Sequence, residues 1–225
     1  QHVRVEGHYG VLRRAAQRCW GPDWPERPGH AHHTLGAVEM DGVVLLPKGL
    51  PEYEVVTYQG STALALTLLR CVGWLSRDDL TTRPGHAGPP LPTPEAQCLG
   101  SHAFECALRV APGADDAAIV RSSQDYRFQT LVGPPGLRVP EGLSCEGDGW
   151  CFAALKIAER GDGLVVRLFN PGPRPVTVAL GPLLARGHVV ALDEERPEAP
   201  SGTTLTLPPY RIAPLKAPLP VAAAG

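Results

Sequence analysis

The sequence predicts an all-β protein made of two antiparallel sandwiches, and three observations predict it. Gly and Pro each occur 25 times and stand singly between apolar runs, which describes many turns rather than a disordered tract. The apolar runs are strand-sized and either alternate with polar residues or are continuous. Helical spacing surfaces in one place, residues 117–126, so at most one short helix is expected. A chain of 225 residues has room for a large sandwich over residues 1–148 and a small one over 149–225, with the border near Asp148.

Taken in order, residues 43–46 read as an apolar strand ending at Pro47, and residues 53–58 as a second that follows Pro51 and stops near Gly60. Residues 62–75 are apolar on both faces, the pattern of a long central strand covered on both sides. His102, Phe104, Cys106, Leu108 and Val110 alternate with Ala103, Glu105, Ala107 and Arg109, as in a half-buried strand. Asp115 and Asp116 open the one helix, because acidic side chains suit the free N–H groups of a first turn. Ile119 and Tyr126 follow at helical spacing. Beyond the turn-rich stretch 133–149, short strands are expected at 151–158, 164–169, 176–180, 188–192, 203–207 and 210–215. Their turns are Gly161-Asp162-Gly163, Asn170-Pro171-Gly172-Pro173 and Pro200-Ser201-Gly202. The tail, 221–225, is expected to fray.

A formal net charge of −2 gives no electrostatic case for a nucleic-acid partner or an anionic membrane surface. The longest apolar stretch, 63–69, is far short of a membrane span. The chain opens on Gln1 rather than Met, which reads either as the removal of an initiator segment or as a portion of a longer polypeptide. Its six cysteines include no CxxC pair, which argues against a zinc knuckle. Cys71 and Cys106 stand within apolar runs, where a thiol serves as a small hydrophobe. Reduced thiols and a cytoplasmic setting are expected, with a Cys145–Cys151 disulfide as the alternative.

Few residues offer chemistry. The tract Gly29-His30-Ala31-His32-His33 is His-rich, yet no carboxylate or thiolate stands at a supporting spacing, and a flexible loop is expected. Glu52 and Glu54 share one face of a strand roughly 7 Å apart, near the spacing of glycosidase carboxylates, although such pairs are common on edge strands. Asp115 and Asp116 read as helix-start charges, and Glu194 and Glu195 as loop charges. Arg70 stands out because it interrupts the apolar run: a guanidinium there must meet a carboxylate or reach a polar cleft. The run empties into Ser76-Arg77-Asp78-Asp79-Leu80, a charged loop suited to the rim of a site. No nucleophile elbow, phosphate loop or dinucleotide fingerprint occurs.

Three stretches carry a resemblance. Lys48-Gly49-Leu50-Pro51-Glu52-Tyr53-Glu54-Val55 is the first, and Ala65-Leu66-Thr67-Leu68-Leu69-Arg70-Cys71-Val72-Gly73-Trp74-Leu75 running on to Leu80 is the second. Thr93-Pro94-Glu95-Ala96-Gln97-Cys98-Leu99-Gly100 is the third. Together they resemble the C-terminal region of bacterial family-38 glycoside hydrolases, the α-mannosidases that include enzymes acting on mannosyl-glycerate-type substrates. A weaker echo of that family's last β domain lies in residues 161–171. The resemblance implies a mutarotase-like sandwich followed by a smaller one, and a partner in the N-terminal catalytic domain of the same polypeptide. It places the zinc ligands and the nucleophilic aspartate in that domain, so neither is expected here. It also implies that the sandwich lends an arginine to the substrate cleft: Arg70 first, Arg77 second, with Asp78 beside it. Hydrolysis in such a parent is retaining, by a nucleophilic and an acid/base carboxylate.

The function expected is therefore a non-catalytic accessory region that steadies a metal-dependent α-mannosidase and lines part of its cleft for a mannose-containing carbohydrate. The alternative is a stand-alone carbohydrate-binding or interaction module, with homo-oligomers open to either. A third reading is an independent sugar-active sandwich using His86 or His102 as acid/base.

Overall fold

The computed structural model describes residues 2–16, 19–128 and 140–219. The tail expected to fray, and residues 133–139 of the turn-rich stretch, lie outside the described residues. Antiparallel sheets dominate, as expected of an all-β chain, and the sheets do not close into a barrel. The chain divides into two compact units, Gln1–Val5 with Leu12–Pro112, and Glu6–Val11 with Gly113–Gly225. Asp148, where the sequence suggested a border, lies within the second unit.

The first unit holds the greater part of β1 (His2–Gly7) and β2 (Gly10–Ala15), together with β3 (His32–His33), β4 (Val38–Met40), β5 (Val43–Lys48), β6 (Glu52–Tyr58), β7 (Ser61–Leu66), β8 (Asp79–Leu80), β9 (Arg83–Pro84) and β10 (Glu105–Val110). One sheet runs β10-β5-β4-β1-β2 and a second runs β3-β6-β7. Val3, Val5, Val38, Met40 and Leu45 of the first sheet meet Tyr53, Val55, Leu64 and Leu66 of the second, which makes a sandwich core. Period-2 alternation explains why these positions face inward. The β6–β7 hairpin is in regular register from Tyr53↔Leu66 to Tyr58↔Ser61.

The second unit holds α1 (Asp116–Arg127), β11 (Cys145–Glu146), β12 (Cys151–Ile157), β13 (Leu164–Phe169), β14 (Val176–Leu180), α2 (Pro182–Ala185), β15 (His188–Val190), β16 (Pro197–Pro200), β17 (Thr204–Leu207) and β18 (Ile212–Ala217). A five-stranded sheet, β12-β13-β18-β15-β16, faces a three-stranded sheet, β11-β14-β17. Leu164, Val166, Leu168 and Leu215 pack against Val178, Leu180 and Leu207, with Leu183 and Leu184 of α2 closing one side. The reverse face of the larger sheet is covered by α1: Ala117 and Val120 pack on Cys151 and Phe169. That two-sided cover explains why β13 is apolar almost throughout. It also explains why the residues after Pro112 belong with the second unit.

Asp115 caps α1, its side chain accepting from the Ala118 N–H at 2.7 Å, as its place in the sequence predicted. The four-residue α2 is a second helix that the sequence did not signal, and Pro182 at its first turn is its only marker.

Four expectations are corrected. Residues 62–75 do not form one covered strand: β7 ends at Leu66, and Leu68, Leu69, Val72, Trp74 and Leu75 are exposed. Strand β10 is exposed on both faces rather than half-buried, because it lies at the sheet edge with nothing of its own unit over it. Cys71 and Cys106, in these same segments, are consequently exposed thiols and not core residues. Cys145 and Cys151 are free, so the disulfide alternative is not realised.

Candidate functional site

The candidate residues stand on the irregular segment between β7 and β10. As the β6–β7 hairpin opens, the Thr67 N–H donates to the Glu52 carbonyl at 3.0 Å. Arg70 then turns back on the hairpin. Its Nε donates to Glu52 Oε1 at 3.2 Å, and a terminal nitrogen meets Oε2, a two-pronged grip. The Glu52 side chain is only 14% exposed whereas that of Arg70 is 71% exposed. Arg70 thus finds the carboxylate its setting demanded, but on the surface instead of inside a strand.

The segment that follows is irregular in outline and well tied. Leu75 N–H donates to the Leu91 carbonyl at 2.8 Å, Thr93 N–H to Gly73 at 2.9 Å, and Trp74 bridges Pro92. Ser76 is the only buried residue in 67–110. Its Oγ accepts from the N–H groups of Ala87 and Gly88, both at 3.1 Å, which closes the loop that carries β8 and β9. On that loop Arg77 forks onto Asp79, with Nε donating to Oδ1 at 2.7 Å. The hydrogen bond from Arg77 holds the Asp79 carboxyl below its ordinary range and raises Arg77 in return. Asp78 lies 3.5 Å from His86. The three candidates therefore fall in two polar groups: Arg70 with Glu52, and Arg77 and Asp78 with Asp79 and His86.

Other candidates are placed differently. Glu52 is neutralised by Arg70, which removes it from any free carboxylate pair with Glu54. The His-rich tract is not a flexible loop: His32 and His33 form β3, His32 stacks on Tyr53 at 5.7 Å, and the His33 carbonyl accepts from Arg14 at 2.7 Å. His102 lies outside β10 and is exposed, its Nε2 2.7 Å from the Cys98 carbonyl. Glu194, which reads as a loop charge in sequence, is 3% exposed and central to a cationic cluster. A cleft of about 460 Å³ in the first unit is lined by residues such as Val55, Thr57 and Thr62, and none of its described lining residues is Asp or Glu. Among the described residues, no three of His, Cys, Asp or Glu gather where they could hold a metal ion. The donor set a zinc site needs does not exist there. No helix among them is long and apolar enough to cross a membrane.

The arrangement offers a guanidinium anchored by a carboxylate, a charged loop clasped by Ser76, and a run of outward-facing apolar side chains that includes Trp74 and Leu99, the latter 94% exposed. Sequence reasoning missed Ser76 and the surface character of this run, since an apolar run reads the same whether its cover is inside or outside the unit.

The family profile described as the C-terminal immunoglobulin-like domain of D-apionate lactonase matches residues 153–215, well under half of the chain. No curated protein matched the chain. Among solved structures, an alpha-mannosidase from Enterococcus faecalis V583 is similar, with a TM-score of 0.65 and 25% identity over 96% of this chain. The match covers 24% of that structure, so the chain spans about a quarter of its length.

Proposed function

We propose that the chain is the C-terminal accessory β region of a longer, retaining α-mannosidase-like glycoside hydrolase of the family-38 type. In this reading it braces the catalytic portion and lends Arg70 to the edge of a cleft for mannose-containing carbohydrate. The observation that carries the proposal is the alignment of nearly the whole chain with a quarter of an alpha-mannosidase. The exposed apolar segment supports it. Side chains such as Trp74, Leu75 and Leu99 lie on a backbone fixed by cross-ties yet have no cover in their own unit, a mark of a protein contact surface. The immunoglobulin-like match at residues 153–215 is likewise to the C-terminal domain of an enzyme.

Nucleophile, acid/base and the zinc that the resemblance implies then belong to the rest of the polypeptide, because the described residues here assemble no ligand set. Free thiols fit a reducing, cytoplasmic setting.

Hydrolysis of an aryl α-mannoside tests the reading, measured for the chain alone and for the polypeptide extended by its upstream coding segment. The chain alone should be inactive with or without added zinc, and the extended polypeptide active. Robust hydrolysis by the chain alone, abolished by changing one of its own residues, would overturn the proposal.

A further inference from the structure

We propose that the loop carrying Trp20 and Trp24 is a carbohydrate-binding platform for a hexopyranose, separate from Arg70. The choice of mannose as probe rests on the reading above. The platform itself rests on the loop.

Both indoles are exposed, Trp24 at 57% and Trp20 at 42%, an expensive display for the largest apolar side chain. Neither is loose. The Trp24 backbone N–H donates to the Gly21 carbonyl at 3.2 Å, closing a turn with Pro22 at its second position. The edge of the Trp24 indole lies against Gly21, where an added Cβ would stand 3.1 Å from Nε1 and 3.2 Å from Cδ1. A side chain at position 21 would push the ring away, so Gly21 lets the indole lie in one place. Trp20 is held by the Arg27 guanidinium, 5.5 Å from its ring centre, and by the edge of His30.

The loop is fastened as a body as well. Arg27 N–H donates to the Thr82 carbonyl at 3.0 Å, so the charged β8–β9 turn stands beside it. Polar groups remain unspent at that junction. Glu26, half-exposed, comes within 3.9 Å of Arg83 Nε, too far for a hydrogen bond, and that nitrogen is buried without a partner. A pyranose offers what this surface lacks: an apolar C–H face to lie on an indole, and hydroxyl groups to donate to a carboxylate. A rigid aromatic turn rich in proline gives up little entropy on binding, which suits a small ligand of modest affinity.

Affinity electrophoresis of the 225-residue chain in gels holding soluble α-mannan tests this, with methyl α-D-mannopyranoside as competitor. The chain should be retarded and the monosaccharide should release it. Trp24→Ala should weaken retardation at least about tenfold while the circular dichroism and melting temperature stay at wild type. Gly21→Val should do the same with Trp24 still present, and Leu99→Ala should change nothing. No retardation, or equal retardation of wild type and Trp24→Ala, would overturn the platform. The two proposals fail separately. A chain that ignores mannan yet supports hydrolysis in the extended polypeptide sinks only the platform. One that binds mannan but confers no hydrolysis sinks only the accessory role.

Discussion

Arg70 reaches back over the open end of the β6–β7 hairpin to grip Glu52, and the two partners are unequally covered: the carboxylate is sheltered and the guanidinium faces out. The pair therefore orients an exposed cation more than it stabilises the fold, since ion pairs with one solvated member contribute little.

Replacing Arg70 by Ala is expected to cost the isolated chain less than about 1 kcal/mol, read from urea denaturation. In the extended polypeptide the same change should lower kcat/KM at least about tenfold, a loss of roughly 1.4 kcal/mol. Arg70→Lys should recover the charge without the fork and little of the rate. Wild-type kinetics in both variants would leave this segment a scaffold.

Glu194 sits buried at φ +64°, with Oε1 3.1 Å from Lys156 Nζ and 2.5 Å from Arg167, and Oε2 accepting from the Glu159 N–H at 3.1 Å. Burial pushes its carboxyl up, but the Glu159 N–H, Lys156 and Arg167 outweigh that and hold it below the ordinary value. A lowered folded-state pKa adds stability that is complete above the unfolded value, near 4.5, and lost as pH falls through the folded one. Glu194→Gln should therefore destabilise the protein by roughly 2 kcal/mol at pH 7. The gap from wild type should narrow as melting is followed down through the acid range, and a gap independent of pH would refute the assignment.

Asn170 is fully buried in the Asn-Pro-Gly-Pro turn and serves three segments at once. Its Nδ2 donates to the carbonyls of Arg174, Leu207 and Pro208, and its Oδ1 accepts from the Gly172 N–H at 2.9 Å. Asn170→Ala strands those carbonyls and should cost about 2–4 kcal/mol in chemical denaturation. Asn170→Asp keeps the acceptor but loses the donors, so it should be no milder. A loss under about 0.5 kcal/mol in either would show that water replaces the side chain.

Thiol reactivity should divide the cysteines by burial. Burial pushes Cys151 up to about 12 and Cys145 up to about 11. Iodoacetamide labelling followed by mass spectrometry should modify Cys19, Cys71, Cys98 and Cys106 in the native protein. Cys145 and Cys151 should react only after denaturation, and early labelling of Cys151 would contradict the packing of α1 on β12.

Six strands of the second unit were legible because they carry their own evidence, such as alternation in β14 and β17, continuous apolar residues in β13, and Gly or Pro at the turns, whereas the short β11 and the Pro-bounded β16 carry no such pattern. The Asp115 cap was legible for the same reason, since a side chain three residues from its partner is a local event. Residues 62–75 were misread because hydrophobicity reports that a residue needs cover, not which part of a protein supplies it. Glu194 was opaque, since the residues that neutralise it, Lys156 and Arg167, are brought to it only by strand pairing. Arg70 was half legible: its need for a carboxylate followed from its neighbours, while the identity of Glu52 followed from the hairpin.

The outward-facing strand β10 has a practical consequence for anyone preparing this chain. It is the last strand of its sheet, pairing with β5 along one side, and it alternates Cys106, Leu108 and Val110 with Glu105, Ala107 and Arg109. Such a border is a template on which another copy can nucleate, and charged residues are what natural sequences place there to discourage it. Glu105, paired with Lys48 at 2.7 Å, and Arg109 are those guards. Neutralising both should make the protein cloud with time and concentration, an outcome that light scattering reads directly.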